Sequence, residues 1–215
     1  MRFLNVYRDT GKIEAEPYIG MLIDPAFAAG SIFYRQMNIK SEIMTETEVN
    51  RSLARITHEI IERGHGTQGL VLLGIRRRGL PLAAHIAANI ERFEGVRVPV
   101  GFIDVTLYRD DLSETAELPD AGQTCIPCDI RGRTVVLVDD VIYTGRTARA
   151  AIEAVFAHGR PAMIQLAVLI DRGHRELPIR PDFVGKNIPT SKAELIAVTV
   201  PEIDGLPFGV KLYER

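Results

Sequence analysis

From Thr45 onward the apolar positions fall into regular periods. Val49, Leu53, Ile56 and Ile60 are spaced four, three and four apart, which sets them on one face of a helix, with Arg51, Arg55 and His58 opposite. Thr45 followed by Glu48 is a capping-box start, and Gly64 supplies a stop. Apolar runs then alternate with amphipathic ones: strand 69–75, helix 79–93, strand 96–108, strand 134–139, helix 146–159 and strand 163–171. Strands that are apolar throughout are covered on both sides. The pattern therefore predicts an α/β fold, a central parallel sheet with helices on both faces. The first 44 residues carry scattered Gly and Pro and no sustained period. They read either as an extension without stable structure or as the product of an upstream start codon, with Met37 or Met44 as the alternative beginning. The periodic part, 45–215, is expected to form one domain.

Composition narrows the partners. With 46% hydrophobic and 25% charged residues among 215, the chain suits one soluble core. A net charge of −2 gives no global attraction to polyanions, so a nucleic acid must be met by a local patch. No apolar run approaches the roughly 18 residues of a bilayer span, and the N-terminus lacks the apolar centre of a signal peptide. A cytoplasmic protein without membrane contact is expected. Cys125 and Cys128 form a lone C-x-x-C with no second pair at ligand spacing, and Pro127 disfavours a helix opening there. They read as reduced thiols, and no protein-held metal is expected.

Candidate chemistry concentrates in two loops at carboxyl ends of the predicted strands, where parallel sheets bind ligands. In "VVLVDDVIYTGRT" (135–147) the chain runs from an apolar strand into a helix starting at Arg146 or Thr147. Such a start offers free backbone N–H groups and a positive dipole end, both suited to a phosphate. Thr144 and Thr147 add hydroxyls, and Gly145 allows close backbone approach. Asp139 and Asp140 would repel a phosphate, so they serve another part of the ligand. The vicinal hydroxyls of a 5-phosphoribosyl group fit them. The competing reading, two acids capping a helix, leaves the hydroxyls and the glycine without a task. Neither G-x-x-x-x-G-K-[ST] nor G-x-G-x-x-G after a strand occurs. In "GIRRRG" (74–79) three arginines beside a glycine suit a pyrophosphate, while the blander reading is a solvated basic turn.

An apolar strand, two acids and then T-G-x-T resembles the phosphoribosyl pyrophosphate (PRPP) signature of the type I phosphoribosyltransferases. "ARITHE" (54–59), "DVTLYRDDL" (104–112) and "VLIDRGHRELPIRPDFVGKNIPTSK" (168–192) look like one branch, the bifunctional pyrimidine-operon attenuation regulators with uracil phosphoribosyltransferase activity. The resemblance runs from about residue 45 to the C-terminus, more loosely over 200–215. It implies a phosphoribosyltransferase fold with a small hood formed by residues 171–189. It also implies that Tyr143, Thr144, Gly145, Arg146 and Thr147 cradle the 5′-phosphate and that Asp139 and Asp140 hold the ribose hydroxyls. Arg77 and Arg78 would meet the pyrophosphate, and Arg109 would close over it from a polar loop. The implied reaction joins uracil to PRPP, with Mg²⁺ bound alongside PRPP, to give UMP.

The regulatory half of the resemblance implies that leader mRNA is bound in response to UMP or UTP. Its candidate contacts are Arg55, His58, His174, Arg175, Arg180 and Lys186. Two features stand against it: Ala54 replaces the threonine common in these regulators, and no aromatic residue is interleaved for base stacking. A phosphoribosyltransferase without RNA binding, for uracil or for a purine, is the alternative. For a purine, Phe183 is the one nearby candidate for stacking on the larger base. A homodimer or higher homo-oligomer is expected.

Overall fold

The structure, a computed structural model, describes residues 38–105 and 124–214. Its elements in chain order are β1 (Asn38–Met44), α1 (Glu46–Arg63), β2 (Leu70–Ile75), α2 (Gly79–Glu94), β3 (Val100–Ile103), β4 (Thr134–Ile142), α3 (Arg146–His158), β5 (Met163–Asp171), β6 (Phe183–Asn187), β7 (Glu194–Thr199), α4 (Pro201–Asp204) and β8 (Gly209–Glu214).

Five strands form a parallel sheet in the order β3-β2-β4-β5-β6. Alternate side chains point to opposite faces, and both faces are buried. Leu70, Leu72, Val136, Val138, Ala167 and Leu169 pack under α1 and α2, whereas Val71, Leu73, Val135, Leu137, Leu166 and Val168 pack with α3. The four apolar residues that define α1 in the sequence are no more than 2% exposed. Each such aliphatic side chain contributes about 1.5–3 kcal/mol through burial. The capping box forms: the Thr45 hydroxyl accepts the Glu48 N–H, and the Thr45 N–H donates to Glu48 Oε2 at 2.8 Å.

The structure corrects four boundaries. β1 occupies the last seven residues of the expected extension. It is an edge strand paired antiparallel with β8, and four of its seven residues are exposed; such a strand shows no core-facing period. β3 is confined to Val100–Ile103 within the expected 96–108, because Pro99 brings no N–H to a ladder. β4 continues three residues beyond its expected end, so the acid pair lies in a strand rather than a loop. The hood is not built from 171–189. Part of that segment is β6, the fifth strand of the parallel sheet, and the small second layer is the antiparallel sheet β1-β8-β7. Met44, Ile196, Val198, Val210 and Leu212 fasten this layer to the α1 side of the core.

Candidate active site

The carboxyl ends of β2 and β4 bring the two sequence-predicted loops together. Gly74 and Gly79 bracket the arginine loop, and both sit where no side chain fits. A Cβ on Gly74 would lie 2.3 Å from Leu80 Cα, and one on Gly79 would lie 2.2 Å from the Val138 carbonyl oxygen. The loop is thereby pressed onto β4 one residue before Asp139. Arg76 pairs with Asp104 at 3.2 Å, and Arg77 is partly buried in the loop. Arg78 turns towards the hood: Nε donates to the Val198 carbonyl at 2.8 Å and Nη2 to Asp204 Oδ1 at 2.9 Å.

Asp139 and Asp140 are linked through their backbone, the Asp140 N–H donating to Asp139 Oδ1 at 2.9 Å. Burial pushes the Asp139 carboxyl well above the usual carboxylate range, and the neighbouring Asp140 charge adds to this. Burial also raises Asp140, but the Arg78 guanidinium pulls it back. The pair is thus a partly desolvated acceptor site.

Asp139 and residues 141–148 line a cavity of about 360 Å³. Gly145 caps α3 with φ 93°, a left-handed conformation that favours glycine. No side chain caps the helix in its place; Thr144 Oγ1 accepts only a long hydrogen bond, 3.4 Å, from the Arg146 N–H, and Thr147 adds a second hydroxyl in the first turn. The first-turn amides and dipole are left facing the cavity, as an anion requires. Thr144 and Thr147 are half-buried there, and Arg146 pairs with Glu176 at 2.9 Å, both also lining the cavity. The Tyr143 ring is held between the Arg172 guanidinium, 4.2 Å away, and the edge-on His174 ring at 5.7 Å. Arg109 lies outside the described residues.

The phosphoribosyl transferase domain family matches residues 41–202. A curated relative named bifunctional protein PyrR, from Clostridium novyi, is 58% identical over 179 residues, covering 83% of this chain and 100% of the relative. The chain belongs to the PyrR family of phosphoribosyltransferases. The PyrR protein of Thermus thermophilus is likewise 58% identical, over 83% of this chain and 98% of its own. The fold is shared more widely: a hypoxanthine-guanine phosphoribosyltransferase from Bacillus anthracis superposes with a TM-score of 0.62 at 22% identity, over 82% of this chain and 99% of that one.

In this PyrR-family chain the six basic residues marked as RNA contacts fall into separate groups. Arg55 lies on α1 against β6, where Nη2 donates to the Val184 and Gly185 carbonyls and Nη1 pairs with Glu59. Lys186 is exposed on the same strand and reaches the Ile43 carbonyl at 3.0 Å. His58, one turn further along α1, stacks on Phe93 of α2 with centroids 4.3 Å apart, and Arg92 lies 4.7 Å over the same ring. Phe93 comes from α2, outside the basic segments, and its ring is already engaged by His58 and Arg92. His174 and Arg175 instead pack on the phosphate loop. Arg175 donates to the Tyr143 and Ile179 carbonyls and pairs with Asp171, so it braces the site from within. Arg180 is exposed in the segment leading into β6.

Three placements change the sequence reading. Asp171, at the start of the segment expected to form the hood, accepts the Gly173 N–H and forms the turn after β5. Phe183 is 3% exposed in the core under Arg63, so it is not available to stack on a purine. Arg172, which the sequence did not single out, is 8% exposed and ties the end of β5 to the hood through Thr190, Ser191 and Glu194. Its only signal was an arginine directly after a strand-terminal acid.

Proposed function

We propose that the chain transfers the phosphoribosyl group of PRPP to uracil and regulates pyrimidine gene expression by binding leader mRNA in response to uridine nucleotides. The observation that carries the enzymatic half is the adjacency of the half-buried acid pair, the open N-terminus of α3 and the glycine-bracketed arginine loop. Three parts of one ligand, ribose hydroxyls, 5′-phosphate and pyrophosphate, match these three features. Tyr143 to Thr147 hold the 5′-phosphate through backbone N–H groups and the Thr144 and Thr147 hydroxyls. Asp139 and Asp140 accept from the ribose hydroxyls, and Arg77 and Arg78 set positive charge beside the departing pyrophosphate, with Arg109 assigned to close over it.

Uracil N1 forms the new bond to ribose C1 as the bond from C1 to the pyrophosphate oxygen breaks, and the N1 proton leaves to solvent or a nearby acceptor. Charge builds positively on the ribose ring, so two carboxylates held near its hydroxyls stabilise it. The fixed loops supply orientation. Among the described residues no group of three or more His, Cys, Asp or Glu could cage a metal. The oxygens of PRPP itself are the hard donors that suit Mg²⁺, whose chemistry here is to neutralise the leaving group.

The regulatory half rests on the PyrR relationship and on the exposed Arg55 and Lys186 at β6, with His58 further along α1 against Phe93. UMP or UTP in the phosphate site would act as effector through His174 and Arg175, which rest on that loop. No helix among the described residues is long and apolar enough to cross a membrane, and a cytoplasmic homo-oligomer is the proposed working form.

The test is UMP formation from uracil and PRPP. The Asp139→Asn, Asp140→Asn double variant should fold as judged by circular dichroism and lose at least 10²-fold in turnover, the scale of one missing transition-state interaction. Retained turnover would remove the ribose assignment, and equal turnover with hypoxanthine would remove the base assignment. Leader RNA of the organism's own pyrimidine genes should bind more tightly with UMP than without, and binding no better than a scrambled RNA would remove the regulatory half.

A further inference from the structure

Arg78 belongs to the arginine loop by sequence, yet its side chain is committed elsewhere. It spans the gap between the parallel sheet and the hood, reaching the Val198 carbonyl at the end of β7 and Asp204 in α4. Both members of the Arg78–Asp204 pair are shielded, at 24% and 16% side-chain exposure. Asp204 is itself fixed, because its Oδ2 accepts the Val200 N–H at 2.7 Å and its own N–H donates back to the Val200 carbonyl at 2.8 Å. Its carboxylate is thus a rigid hook on a closed turn. The backbone of Arg78 is equally constrained, since Gly79 is pressed against the Val138 carbonyl. The guanidinium is thus fixed through Nε and Nη2, on a residue whose neighbour Gly79 abuts β4 one residue before the acid pair.

We infer that Asp204 is a positioning residue for phosphoribosyl transfer: it fixes the Arg78 guanidinium at the junction of the arginine loop and the hood and thereby sets the geometry in which Arg78 meets PRPP. This rests on the phosphoribosyltransferase reading above. Without Asp204, one of the two described anchors of the guanidinium is gone, and the cation becomes free to swing towards solvent. Arg78 itself could still touch pyrophosphate, but only after paying the orientation cost that Asp204 removes.

The experiment is steady-state kinetics on the full chain for the unaltered protein, Asp204→Asn, Asp204→Glu, Arg78→Met and the double variant Arg78→Met, Asp204→Asn. The asparagine retains an oxygen for the Val200 N–H. Turnover by the unaltered protein comes first, and its absence would count against the phosphoribosyltransferase reading rather than this one. Given turnover, Asp204→Asn is expected to lose at least tenfold in kcat/KM for PRPP with KM for uracil unchanged. Asp204→Glu should recover part of the loss. The double variant should be no worse than Arg78→Met alone, the non-additivity expected when one residue acts through another. Losses that multiply in the double variant, or a kcat/KM for Asp204→Asn equal to that of the unaltered protein, would overturn the inference. Should Asp204→Asn fail to fold, Asp204→Glu decides: it keeps the charge but displaces the guanidinium, so undiminished kcat/KM for PRPP overturns the inference and a loss supports it. Glu202→Gln, on the same turn but paired with His85 instead, serves as the control for general disturbance of the hood and should leave KM for PRPP unchanged.

Discussion

Asp139 is held in a state that opposes folding. Burial and the charge of Asp140 raise its carboxyl above the ordinary range, so between its unfolded value, about 4, and its raised folded value the native state binds more protons than the unfolded one. Stability therefore falls as pH rises through that window. Asp139→Asn removes the ionisation while keeping an oxygen for the Asp140 N–H. It should raise the melting temperature at pH 7, with the gain disappearing below about pH 4, while turnover is lost. A variant less stable than the unaltered protein at pH 7 would contradict this. At this scale the sequence displayed the acids, the two threonines and Gly145, because they are contiguous and their spacing expresses their task. It did not display Arg78's partners, which lie 120 and 126 residues along the chain, and it placed Arg175 on a surface although its donors turn inward to Tyr143 and Ile179.

The elements that could be read were those whose local and tertiary requirements coincide. α1 has a cap, a stop and a single apolar stripe, and it forms between them. Replacing Thr45 by Ala should cost about 1 kcal/mol, measurable as a lower urea midpoint with an unchanged slope. A shift indistinguishable from zero would mean that packing alone fixes the start of this helix. β1 escaped because an edge strand needs only its partner's hydrogen bonds and shows little hydrophobic alternation, with Ile39 57% exposed. β6 escaped for another reason: only Phe183 of its five residues is buried, so it reads like the loop around it, and its place is set by pairing with β5.

The molecule as a whole joins a parallel sheet, whose plan local periodicity announces, to a hood that pairs one end of the described chain with the other. No local pattern encodes that union. Across the surface, Arg55 and Lys186 place two basic side chains at β6 on a chain whose net charge is −2. The paired substitutions Arg55→Ala and Lys186→Ala should weaken leader-RNA binding and reduce its salt slope by about 0.7 for each phosphate no longer neutralised, without altering UMP formation. A parallel fall in turnover would assign these residues to the active site. The central hood strand, β8, lies between β1 and β7 and is synthesised after every other described element. On the ribosome, then, the phosphate loop emerges and can settle while β1 waits, unpaired, for almost the whole chain to follow. A stalled or shortened product would carry an outwardly finished nucleotide-binding sheet with an open edge at β1. Of the described elements, it is the last to be translated that gives β1 and β7 their common partner and so removes two of the sheet's unpaired edges.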